Sequence, residues 1–172
     1  KQVSSWGGNP IVLPDPLPNF NDTPTSKEFN ERFIFFICTW ASDEPYQEVI
    51  QAAKLIPEDV KIFITGNYNK VKKQLPDLPE NVRLLGFIDE AQYLFFLSKA
   101  SASMDLTTRD NCLVCGAYES ASLQTPCIIS DTNINREVFN QGFVYTQNKK
   151  SSIASAILLA LAEKNILSNQ IA

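Results

Sequence analysis

Residues 102–130 read ASMDLTTRDNCLVCGAYESASLQTPCIIS, and the succession of residue types in this stretch decides the fold. Ala102 to Leu106 is a short run with the length of a strand. Thr107 to Asn111 is polar. Val114 to Leu123 reads as a helix, and Pro126 to Ser130 is a second strand-length run. Short apolar runs fit strands buried on both faces. A strand, a helix and a strand in succession make a parallel pair joined by a crossover.

The same rhythm extends in both directions. Upstream, Phe33 to Ile37 is a continuous apolar run, followed by helical spacing from Glu48 to Leu55 with Val49, Ala52, Ala53 and Ile56 on one side. Val60 to Ile64 is a second strand, stopped by Thr65-Gly66-Asn67. Val82 to Leu85 is a third, stopped by Gly86. Ala91 to Ser98 is helical, with Tyr93, Leu94, Phe96 and Leu97 as expected core contacts. Downstream, Gly142 to Tyr145 is a sixth strand, and Ser151 to Lys164 is a closing helix rich in Ala, Leu and Ile. About six strands alternating with helices predict an α/β fold: a Rossmann-like, doubly wound parallel sheet with helices on both faces.

Residues 1–30 are different material. They hold Pro10, Pro14, Pro16, Pro18 and Pro24, five of the ten prolines, with Gly7, Gly8, Asn19 and Asn21 between them. Proline lacks an N–H and clashes with a preceding helical turn. An extended lead-in or interdomain linker is expected over 1–30, with Ile11-Val12-Leu13 as a short strand, and a Rossmann-like domain over 31–172.

Bulk properties exclude some functions. Hydrophobic residues make up 44% of the 172 and charged residues 20%, a globular composition. A net charge of −4 and a pI of about 4.9 argue against a nucleic-acid partner, which needs a basic surface. Histidine is absent, so the commonest general base and metal ligand is missing. Cys38, Cys112, Cys115 and Cys127 read as four small buried apolar groups. The Cys112-x-x-Cys115 spacing lacks the context of a redox motif. No run is apolar and long enough to span a bilayer. With Lys1 in first place and no signal peptide, a piece of a longer chain is expected.

In an open α/β sheet, ligands bind beyond the carboxyl ends of the strands, near the point where strand order reverses. The segment after the fourth strand, Thr107 to Asn111, is polar, carries Arg109 and feeds a helix. A helix start presents unpaired N–H groups and a positive dipole end, which attract phosphate. Arg109 adds a charge-assisted contact or simply pairs with Asp110. Asn111 is either a ligand contact or a helix cap. Glu119, flanked by Gly116, Ala117, Ser120 and Ala121, either faces a crevice, where its carboxylate accepts from two ribose hydroxyls, or is a solvated helix charge. Asp43 and Glu44 suit the positive end of the helix that follows them.

The stretch from Asn111 to Ser130 resembles the signature of the family-four retaining glycosyltransferases of the GT-B fold. That family carries two glutamates eight positions apart, a helix of small residues and a Gly-Thr-Pro turn into an apolar strand. Glu119 matches the second glutamate and Thr125-Pro126 the turn. Arg136-Glu137 resembles the pair that follows. Asn81 to Ile88 is similar to the family's strand and glycine turn, and Pro14-Asp15-Pro16 to its turn between domains. The likeness implies the donor half of a glycosyltransferase, binding a nucleoside diphosphate sugar for transfer to a glycan or lipid-linked acceptor held by an N-terminal domain. It implies that Glu119 holds the ribose, that the amides of Leu113 and Val114 face the diphosphate, and that backbone around Phe87 and Ile88 meets the base. Asn111 then lies near the donor sugar, and Thr65 and Gly66 line the cleft.

Departures from the family are visible. Asn111 replaces the first glutamate, Cys112 and Val114 replace glycines, and Gln124 replaces the turn glycine. Where the family clamps phosphate after the first strand, this chain has Trp40, Asp43 and Glu44, with Arg109 as a substitute cation. No cofactor or metal is implied, the sugar nucleotide being substrate. The implied location is cytoplasmic, with peripheral association at the inner membrane face, and the isolated chain is expected to bind nucleotide weakly and transfer nothing. A non-catalytic nucleotide- or sugar-binding module, or an epimerase-type relative, would share the same architecture.

Overall fold

The computed structural model describes residues 2–9, 11, 16–20 and 29–171. Six strands, β1 (Phe33–Phe36), β2 (Lys61–Thr65), β3 (Val82–Gly86), β4 (Ala102–Asp105), β5 (Cys127–Ser130) and β6 (Phe143–Thr146), form one sheet in the order β3-β2-β1-β4-β5-β6. Every pairing is parallel. The chain builds outward from β1 to β3, then returns to β1's other side with β4. The strand order therefore reverses between β1 and β4.

Alternation within β1 explains the two layers. Successive side chains on a strand point to opposite faces. Ile34 and Phe36 face α2 (Tyr46–Ala52) and α6 (Lys150–Ala162), meeting Val49, Ile50, Ile153 and Ile157 in one buried cluster. Phe33 and Phe35 face α3 (Glu90–Lys99) and pack on Leu97 and Phe63. Further along that face, α4 (Cys115–Ser122) lays Ala117 over Cys127 and Ile129. The Phe33 and Phe63 rings stack at 4.6 Å, and Phe29 stands edge-on to Phe33 at 5.2 Å. Such pairs add about 0.5–1.5 kcal/mol beyond burial alone.

Helix α3 begins with a capping box. The Asp89 carboxylate accepts from the Gln92 amide at 2.8 Å, and the Gln92 side chain accepts from the Asp89 amide at 3.3 Å. This satisfies two of the N–H groups that a helix start leaves without partners.

Several elements differ from the sequence expectation. Residues Gln2–Ser5 form a short helix, α1, rather than an extended segment. Ile11 is exposed and in neither helix nor strand. The rest of the expected lead-in strand, Val12-Leu13, lies outside the described residues, as do Pro14 and Asp15. The lead-in is also tied to the sheet domain: Phe29 joins the aromatic cluster, and the Ser122 hydroxyl donates to the Pro18 carbonyl at 2.6 Å. A short helix α5 (Asn133–Val138) follows β5, started by the Thr132 hydroxyl accepting from the Asn135 amide. The closing helix ends at Ala162 and is followed by α7 (Lys164–Ile171), bent from it by 80°. Among the described residues, no single helix is long and apolar enough to cross a membrane.

Candidate functional site

Two adjoining cavities open at the carboxyl ends of the central strands. The first, about 410 Å³, lies between the segments that follow β1 and β4 and is closed on one side by α4. The second, about 340 Å³, lies beyond β2 and β3. Ile37, Thr39 and Tyr93 line both. The pair straddles the reversal of strand order, where this architecture places ligands.

Glu119 projects from the second turn of α4 into the first cavity. Its Oε2 accepts a hydrogen bond from the Tyr93 hydroxyl on α3. Burial pushes the Glu119 carboxyl above its ordinary pKa, and the Tyr93 hydrogen bond opposes that rise. Burial, and then the hydrogen bond and charge of Glu119, drive the Tyr93 phenol far upward, so it stays protonated and remains the donor.

The start of α4 is arranged differently from the sequence expectation. Asn111 does not cap it. The residue at the cap position is Val114, which offers no side-chain bond. Instead the Asp105 carboxylate, at the end of β4, accepts from the Gly116 amide at 2.9 Å. A Cβ at position 116 would come within 2.6 Å of that carboxylate and 2.5 Å of the Ile37 side chain, so a larger residue there would force both side chains to shift. Burial pushes the Asp105 carboxyl up to about 8, the Gly116 amide opposing the shift and the charges of Glu44 and Glu119 adding to it.

The segment after β1 is folded around another carboxylate. Glu44 accepts from the Thr39 amide at 3.0 Å, the Thr39 hydroxyl at 2.9 Å, the Ala41 amide at 2.9 Å and the Cys38 thiol at 3.3 Å. Trp40 sets this shape. Its φ is +64°, its ring is buried against Tyr46, and its indole N–H donates to the Thr65 carbonyl at 2.9 Å. Asp43 and Glu44 directly precede α2, and their side-chain hydrogen bonds are made elsewhere. Helix α2 has Pro45 in the cap position and no side-chain cap. Asp43 bridges instead to the segment after β4, accepting from the Thr107 hydroxyl at 3.0 Å and pairing with Arg109 at 3.1 Å.

The structure brings together seven of the residues singled out from sequence. Leu113, Val114 and Glu119 line the first cavity; Thr65, Gly66, Phe87 and Ile88 line the second. Gly66 has φ +87° and no room for a Cβ against the Cys38 carbonyl, 2.1 Å away. Arg109, Asn111 and Trp40 line neither cavity. Arg109 is exposed and held by Asp43 rather than by Asp110. Of the four cysteines expected in the core, Cys38 and Cys127 are buried, Cys112 is half-buried and Cys115 is exposed. Among the described residues, no cluster of three or more His, Cys, Asp or Glu is placed to hold a metal ion.

Sequence reasoning overlooked Tyr93, Thr39 and Asp105 as site residues. Tyr93 has helical spacing with Leu94 and Leu97 and reads as core, yet a buried tyrosine hydroxyl needs a partner. Asp105 was legible as an anomaly, being an acid inside an otherwise buried strand.

A six-stranded, doubly wound parallel sheet with a cleft at its switch point defines a Rossmann-like α/β domain. Residues 20–172 match the family described as glycosyl transferases group 1. The chain belongs to that family, and its fold is that of a GT-B glycosyltransferase domain. Among curated proteins, no sequence matches it. Solved structures that share the fold include HepE of Anabaena in complex with UDP and glucose, at a TM-score of 0.72 and 13% identity, covering 83% of this chain and 42% of that one. Sucrose-phosphate synthase of Thermosynechococcus elongatus gives 0.67 and 15%, covering 83% and 40%. The catalytic domain of a Helicobacter pylori cholesterol-α-glucosyltransferase gives 0.64 and 13%, covering 83% and 93%. The chain thus spans about two fifths of the first two proteins.

Proposed function

We propose that this domain binds the nucleoside diphosphate sugar of a glycosyltransferase, for transfer to a glycan or lipid-linked acceptor held by a further, N-terminal domain. The observation that carries the reading is Glu119. Its carboxylate stands in the wall of the switch-point cavity, oriented by Tyr93 from a second helix. An oriented carboxylate of this kind suits two adjacent ribose hydroxyls, which donate to it in the charge-assisted manner. The backbone of Leu113 and Val114 then lies toward the diphosphate, and the second cavity, between Gly66 and Ile88, takes the base. A structural neighbour holding UDP supports the choice of nucleotide class.

In this reading the chain contributes positioning rather than proton transfer. Holding the donor in one geometry and stabilising charge as its glycosidic bond to phosphate breaks are the two contributions such a site makes. No cofactor or metal enters the scheme.

Calorimetric titration with UDP and its 2′,3′-dideoxy analogue tests the role of Glu119. Hydrogen bonds to a charged group contribute about 1.5–3 kcal/mol, so the wild-type chain should lose roughly ten- to a hundred-fold in affinity when the hydroxyls are removed. Glu119→Ala should bind both compounds alike. Equal affinity of the wild type for the two compounds rules out ribose recognition by Glu119.

A further inference from the structure

We propose that Glu44 is a built-in competitor for the phosphate of the incoming donor, so that a sugar nucleotide enters only by displacing it. The inference rests on the donor-binding reading and deepens it. Four donors from Cys38, Thr39 and Ala41 would otherwise converge on an anion at the mouth of β1: the Cys38 thiol, the Thr39 amide and hydroxyl, and the Ala41 amide. All four are spent on the Glu44 carboxylate, which lines the first cavity. Bonds from N–H and O–H groups to an ionised acceptor are the strong class, and a phosphate oxygen would use the same donors.

A second feature repeats the arrangement across the same cavity. The Asp105 carboxylate takes the Gly116 amide at the start of α4, where a helix otherwise attracts phosphate. The cations do not restore the balance. Among the described residues no lysine or arginine lines the first cavity, Lys70 lines only the second, and Arg109, the nearest by sequence to α4, is paired with Asp43. A diphosphate placed there without rearrangement would face Asp43, Glu44 and Glu119 together, Asp105 being held protonated by its burial. Like charges at such range repel strongly in a partly desolvated cavity. Glu44 is the member able to leave. It is half-buried rather than buried, its side chain rotates about three bonds, and its departure both frees donors and removes a charge.

The test uses inorganic pyrophosphate, UDP and uridine as probes on the wild-type chain, Glu44→Gln and Glu44→Ala, with thermal melts to confirm folding. Both variants should bind pyrophosphate and UDP at least tenfold more tightly than wild type, and uridine unchanged. In the wild-type chain alone, amide NMR should show the Thr39 and Ala41 signals moving on saturation with pyrophosphate, as one acceptor replaces another. UDP binding that is equal or weaker in the variants, or that leaves those two amides unmoved in wild type, overturns the competitor role while leaving the donor reading intact. Failure of wild type and both folded variants to bind UDP at millimolar concentration overturns the donor reading and this inference with it.

Discussion

Asp105 concentrates the site's electrostatics in one side chain. Its carboxyl stands at about 8 in the folded chain against an ordinary 3.8. The folded state therefore binds a proton that the unfolded state has released. Stability from this group is fully present below about pH 4 and is lost as pH rises toward 8. Glu119, also raised by burial, adds to the same trend. Asp131, lowered by the Arg136 hydrogen bond, acts in the opposite sense below its ordinary range. Thermal melts of the wild type should fall between pH 5 and pH 8. Asp105→Asn keeps an oxygen acceptor for the Gly116 amide and cannot ionise, so its melting temperature should fall less over that interval. An identical slope in wild type and variant shows that Asp105 is charged throughout. At this scale the sequence is least transparent. A single acid in a strand is visible, but its partner eleven residues on and its distance from Glu44 and Glu119 are products of tertiary packing.

Helix α4 and its flanks show how far an element can be read in advance. Small residues at 116, 117, 120 and 121 mark a helix that packs closely, and Gly116 is indeed against Ile37 and Asp105. Its end was legible too. Leu123 closes the helix, and Gln124 follows with φ +55°. The Thr125 amide donates to the Ser120 carbonyl at 2.9 Å and the Gln124 amide to the Ala121 carbonyl at 3.0 Å, the paired bonds of a Schellman ending. A non-glycine residue in the left-handed region costs about 1–2 kcal/mol. Gln124→Gly should relieve part of that cost, offset by greater unfolded-state freedom, and raise the melting temperature by about 2–4 °C. A lower melting temperature would mean that the glutamine side chain contributes contacts that outweigh the strain. The loop after β1 was not legible. Its form depends on Trp40 turning into the core to reach Thr65, and nothing in residues 39–44 announces that choice. Arg109 illustrates the same limit: its partner is Asp43, sixty-six positions away, rather than its neighbour Asp110.

At the scale of the whole molecule, apolar runs of strand length alternating with helical segments carried enough information to place all six strands, with ends shifted by a residue or so. A parallel sheet buries both faces, so its strands stand out as continuous apolar runs. The order β3-β2-β1-β4-β5-β6 then puts the cleft between β1 and β4, and with it the residues of both cavities. The lining could not be read the same way, because it draws on four separate loops and two helices that meet only when the sheet is complete. In the proposed function, a sugar nucleotide's ribose and diphosphate occupy the cavity bounded by α4. Backbone amide NMR of the isotopically labelled chain during titration with UDP examines this placement most directly. The largest shifts should fall on Leu113, Val114, Gly116 and Glu119, with a second group at Gly66, Phe87 and Ile88. Binding that instead shifts the edge around β6 and α6, and leaves the start of α4 unmoved, contradicts it.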